Sequence, residues 1–90
     1  MPESSEATIT LAGDLHARPA GALCVAAAKF DATVRLSVGA SEADARSVLA
    51  VMQLGASRGQ EVTVSAAGPD AEAAVAAVIG ILAEATSAGE

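Results

Sequence analysis

Between Leu11 and Ala20 the apolar residues of this chain change their period, and that change limits what the first third can become. Up to Leu11 they alternate: Ala7, Ile9 and Leu11 stand apart with Thr8 and Thr10 between them, the period of two that a half-buried strand requires. From Ala20 they recur at helical spacing, as Ala20, Leu23, Cys24, Ala27 and Phe30. Pro19 sharpens the boundary, because a helix tolerates proline only within its first turn, where the missing N–H has no intrahelical partner to lose. The residues between form a strand-to-helix turn, and His16, the only histidine in the chain, falls at or beside the helix N-cap.

The same two periods organise the rest. Thr33 to Val38 alternates with Val34, Leu36 and Val38 on one face, and Gln60 to Ala66 does so with Val62 and Val64. Between them, Gly39-Ala40-Ser41 reads as a turn, and Glu42-Ala43-Asp44 is so short and polar that only an edge strand fits. Ser47 to Leu54 is apolar nearly all round and stops at Gly55, which predicts a short helix. Such a helix cannot bury every side. Val48, Leu49 and Met52 are therefore expected either in a surface patch or closing the core. Gly68-Pro69-Asp70 opens a last helix, with Pro69 at or near its first position, Asp70 and Glu72 in its first turn, and Val75, Val78, Ile79 and Leu82 as its buried stripe. Gly80 inside it costs about 1 kcal/mol relative to alanine, which suggests that something packs close there.

The order strand, helix, strand, weak strand, helix, strand, helix predicts an α+β domain: a four-stranded, mainly antiparallel sheet with three helices on one face. Thr8, Thr10, Arg35, Ser37, Thr63 and Ser65 are the polar residues of its wet face. One domain is expected over residues 1–90, with 1–6 and 86–90 as loose tails and fraying after Glu84.

Composition narrows the function. The 52% of hydrophobic residues is largely Ala and Val, and Phe30 is the only aromatic, so no platform exists for stacking bases. Eleven acidic against five basic residues give a formal charge of −6 without a basic cluster, which argues against a nucleic-acid partner. No apolar run is long enough to insert across a bilayer, and Met1 to Glu6 is acidic and polar where a signal peptide is basic and then apolar, so a cytoplasmic protein is expected. Cys24 has no second cysteine to pair with and no soft ligand near it; a packed thiol is expected, with no metal and no cofactor.

His16 carries the chemistry. The first N–H groups of a helix lack intrahelical partners and the helix dipole adds partial positive charge, so anions are favoured there. An imidazole is nucleophilic through its unprotonated nitrogen. If it accepted a phosphoryl group, the N–H groups of Ala17 and Arg18 could cradle the oxygens and the Arg18 guanidinium could neutralise the remaining charge. A capping or surface role for a solitary histidine is the plainer alternative.

The string Leu15-His16-Ala17-Arg18-Pro19-Ala20 resembles the active-site signature of the histidine-containing phosphocarrier proteins (HPr) of the phosphoenolpyruvate-dependent phosphotransferase system. The resemblance runs from about Ala7 to Leu82 and implies an open-faced sandwich. It implies a carrier, not an enzyme: His16 phosphorylated on Nδ1 by enzyme I, which draws the group from phosphoenolpyruvate, with Arg18 assisting transfer and an enzyme IIA receiving the group in sugar uptake. Arg46 to Met52 resembles the second family signature, in which Ser47 matches a serine that a dedicated kinase phosphorylates in some bacteria; the hydroxyl of Ser47 as a simple helix cap is the alternative. The family docks its partners through the first and short helices, which implies Ala17, Ala20, Gly21, Val48, Leu49 and Met52 as contacts of an expected monomer.

Two departures stand out. Asp14 occupies a position where the family usually has glycine, which could bring a carboxylate near the transferred phosphate, and the first helix keeps only Lys29 of the basic residues many members carry. Phe30 to Ala32, Ser47-Val48 and Gly68-Pro69 are also similar to the nitrogen-related branch, which passes phosphate to regulators. Two further readings stand beside the carrier: a non-transferring regulatory module acting through Ser47 and the short-helix patch, and a free-standing enzyme, for which one His and one Arg leave no second acid or base.

Overall fold

A computed structural model of the chain describes residues 3–87. Its elements are β1 (Ser4–Thr10), α1 (Ala17–Ala27), β2 (Thr33–Val38), β3 (Ser41–Asp44), α2 (Val48–Gln53), β4 (Glu61–Ala67) and α3 (Ala71–Ser87). The strands form one sheet in the order β1-β4-β2-β3, antiparallel at every pairing. The last strand therefore lies between the first two, and β3 is the edge strand that its polarity predicts.

Alternation decides which face is covered. Val34, Leu36, Val62, Val64 and Ala66 are buried, while Thr33, Arg35 and Glu61 are exposed. The helices supply the other half of the core, chiefly Ala20, Leu23 and Ala27 from α1, Val51 from α2, and Ala74, Val78 and Leu82 from α3. With no buried aromatic, this core depends on many small side chains in close contact. The uncovered face carries exposed polar contacts: Thr8 and Thr63 share a hydrogen bond of 3.0 Å between their hydroxyls, and Arg35 pairs with Glu42 at 3.6 Å, an interaction worth little in water.

Several boundaries differ from the expectations. β1 begins at Ser4, so residues 4–6 are not a tail; they pair with Ala67 to Ser65, because the partner strand runs on and an open face tolerates their polar side chains. α3 continues to Ser87 without fraying after Glu84; residues 1, 2 and 88–90, also expected as tails, lie outside the described residues. α1 stops at Ala27, and Phe30 packs half-buried from the turns that follow, in which Lys29 and Phe30 donate to Ala26 and Ala27. Pro69 stands two residues before α3. The Asp70 carbonyl accepts the Ala74 N–H at 2.8 Å, but its carboxylate leaves the helix and accepts the Asp31 N–H at 2.8 Å. Gly80 is exposed, and a methyl group there would meet nothing within 4 Å, so no packing partner explains it.

Candidate functional site

β1 hands the chain to segment 11–16, which is stitched along its length to segment 55–60. Leu11 donates to Gln60 at 2.9 Å, Gly59 donates back to Leu11 at 2.9 Å, and Leu15 donates to Ala56 at 3.0 Å. The fourth contact is a side chain: Asp14 Oδ1 accepts the Arg58 N–H at 2.9 Å. Thus the carboxylate that departs from the family pattern has one oxygen engaged by backbone.

His16 follows as the N-cap of α1. Its backbone is extended (φ −90°, ψ 179°) and its carbonyl accepts the Ala20 N–H at 3.1 Å. The imidazole makes no capping bond and is exposed, so the ring is not used to close the helix. Pro19 brings no N–H, and its buried ring anchors the first turn against the core. Among the described residues the Ala17 and Arg18 N–H groups have no protein acceptor, and the first turn contains no acidic side chain that would compete for them. The exposed Arg18 completes an anion-friendly corner beside a free imidazole.

α2 forms the other part. Ser47 is its N-cap, and its hydroxyl accepts the Ala50 N–H at 3.1 Å. Arg46 fixes the entry to this helix: its N–H donates to Asp44 Oδ1 at 2.9 Å and its guanidinium to the Ala32 carbonyl at 3.2 Å. Val51 is fully buried, whereas Leu49 is 67% exposed and Val48 and Met52 are exposed beside it, so the patch exists and does not close the core. The Leu15 to Ala56 bond sets the exit of α2 beside the His16 segment. Ser47 stands at the opposite end, about 9 Å away along a helix of this length.

The expected residues therefore divide. His16, Ala17 and Arg18 converge at the start of α1; Val48, Leu49 and Met52 share the outer side of α2. Ala20 is a correction: it is 0% exposed, facing the core at the i+3 and i+4 spacing of Leu23 and Cys24, and offers no surface to a partner. Gly21 is half-buried. Val25, 62% exposed, was missed; the spacing Ala17, Gly21, Val25 places it on the same side of α1 as the first two, off the buried stripe. Cys24 is packed, and burial first and the Asp44 carboxylate second raise the pKa of its thiol.

Among the described residues no group of three or more His, Cys, Asp or Glu side chains is arranged to hold a metal, and no helix is long and apolar enough to cross a membrane. A groove lined by Ser4, Glu6, Thr33, Arg35 and Ser65 lies on the open sheet face and takes no residue from the His16 segment. What the site offers is one exposed imidazole beside two backbone N–H groups without protein acceptors.

Comparison with known proteins agrees with that geometry. Residues 3–84 match the family model described as "PTS HPr component phosphorylation site". A multiphosphoryl transfer protein of Xanthomonas campestris pv. campestris is 41% identical over 73 residues, 81% of this chain and 9% of that protein, so the chain spans about a tenth of that relative's length. The crystal structure of HPr-C-His from Thermoanaerobacter tengcongensis superposes with a TM-score of 0.79 at 31% identity, covering 98% of each chain. A histidine-containing phosphocarrier protein of Mycoplasma gives 0.80 at 30% identity, covering 93% of this chain and 96% of that one. The chain belongs to the HPr family of the phosphotransferase system and shares the open-faced sandwich of the phosphocarrier structures it superposes on.

Proposed function

We propose that His16 accepts a phosphoryl group from phospho-enzyme I and passes it to an enzyme IIA in sugar uptake. The observation that carries this reading is the free, exposed imidazole at the N-cap of α1, next to two N–H groups without protein acceptors. The unprotonated ring nitrogen attacks the phosphorus in line as the bond to the donor breaks, and the group leaves by the same route toward the acceptor. The Ala17 and Arg18 N–H groups and the Arg18 guanidinium stabilise the non-bridging oxygens, so the product of the step is the modified carrier itself. A lysine at position 18 would supply charge without the planar fork.

Ala17 and Gly21 on α1 and Val48, Leu49 and Met52 on α2 are the proposed contacts with successive partners, a role served by a monomer that presents one face to each. Ser47 is the proposed target of a serine kinase. A phosphate there would favour the start of α2 yet load the docking patch with charge, and so obstruct enzyme I.

Intact-mass measurement after incubation with phosphoenolpyruvate and a cognate enzyme I tests the reading. Wild type should gain one acid-labile phosphate, and His16→Ala none. An unmodified wild type would sink the carrier role.

A further inference from the structure

Asp14 sits two residues before the nucleophile, and its carboxylate holds a backbone N–H that is 44 positions away in sequence. Of the four hydrogen bonds that tie segment 11–16 to segment 55–60, three are backbone to backbone, and Asp14 to Arg58 is the only one made by a side chain. Leu11 and Gly59 hold the start of the segment. The end nearest His16 is held by Leu15 to Ala56 and by Asp14 to Arg58, so one of the two bonds between the segments at that end depends on a carboxylate oxygen. Glycine, the residue the family usually has here, would supply no acceptor and would widen the backbone freedom of the turn. The bond itself is exposed, so it bears more on local order than on global stability.

We propose that Asp14 is a positioning residue for phosphoryl transfer: by clasping the Arg58 N–H it holds the loop that aims the His16 ring. The proposal rests on the carrier function argued above. In-line transfer to His16 tolerates little misalignment, since a displacement of about 1 Å at a reacting group can cost about a hundredfold in rate.

The test compares wild type, Asp14→Asn and Asp14→Ala as substrates of enzyme I with phosphoenolpyruvate, reading kcat and KM for the carrier, with Arg58 amide exchange by NMR and thermal melts alongside. Asparagine keeps the Oδ1 acceptor without the charge. Asp14→Ala should lower kcat about tenfold with KM within about twofold of wild type, because Val48, Leu49 and Met52 are untouched. Its Arg58 amide should exchange faster while the melting temperature barely moves, and Asp14→Asn should restore both rate and protection. Wild-type kcat in Asp14→Ala overturns the proposal. So does an Asp14→Asn variant as slow as Asp14→Ala, which would assign the effect to charge, or one several-fold faster than wild type, which would make the carboxylate a repulsive burden. A wild type that accepts no phosphate overturns the carrier reading itself, and that failure is read before any variant is compared.

Discussion

The Ser47 hydroxyl is committed to the Ala50 N–H, so its removal has a defined cost. Ser47→Ala should destabilise the fold by about 1 kcal/mol, a fall of about 4–8 °C in melting temperature for a domain of this size. Ser47→Asp keeps an N-cap acceptor and should melt close to wild type, so any loss of phosphoryl acceptance by that variant reports on docking and not on folding. Cys24 gives a second check at this scale. Because burial first and the Asp44 carboxylate second raise its pKa, the folded thiol stays protonated where the unfolded one begins to ionise. Its contribution to stability is therefore intact below the ordinary thiol range and is lost as pH rises through it. Alkylation by iodoacetamide at pH 8 should run at least about tenfold slower in the native protein than in denaturant. The placement of His16 was legible in the chain because Pro19 confines the helix start. The Asp14 clasp was not, since no local pattern reports a bond between positions 14 and 58.

Two glycines separate what an element needs from what it merely tolerates. Gly68 joins β4 to α3 at φ +132°, a conformation that side chains rarely adopt, and an added Cβ would lie 2.8 Å from the Asp31 carbonyl oxygen and 3.0 Å from the Ala32 Cα. That crowding comes from a tight juncture in which Asp31 donates to the Asp70 carboxylate and Asp70 donates back to the Asp31 carbonyl. Gly68→Ala should cost at least about 2 kcal/mol. Gly80, with open space around it in the middle of α3, should behave oppositely: Gly80→Ala gains about 0.5–1 kcal/mol of helix propensity. Urea titrations with unchanged slope would resolve the two signs. Element identities were readable because alternation survives in Val34-Arg35-Leu36 and Val62-Thr63-Val64 and helical spacing in Val75, Val78 and Leu82. Ends were harder. Ser4 to Glu6 joins the sheet through backbone pairing with β4, which leaves no trace in side-chain pattern, and the Asp70 carboxylate serves a distant loop in place of its own helix.

For the molecule as a whole, the question is how a thin core of small aliphatics can spare apolar surface for partners. α2 answers it by facing two ways at once: Val51 is sealed in the core, while Val48, Leu49 and Met52 stay outside. Under the proposed carrier function, folding and docking fall to neighbouring residues of one six-residue helix, and they can be separated by substitution. Val51→Ala opens a void in a core without buried aromatic side chains, and should destabilise by about 2 kcal/mol. Leu49→Ser removes an exposed side chain and should change stability by no more than about 0.5 kcal/mol. Under the carrier function the consequences for transfer invert. Leu49→Ser should raise the KM of enzyme I for the carrier about tenfold, the loss of roughly 1.4 kcal/mol of contact at a single anchor, whereas Val51→Ala, assayed well below its melting temperature, should keep a KM near that of wild type. Chemical denaturation and steady-state phosphorylation of the same two proteins decide the matter. If both variants lose stability and affinity together, α2 acts as one cooperative unit, and the exposed patch cannot be treated as a surface independent of the core beneath it.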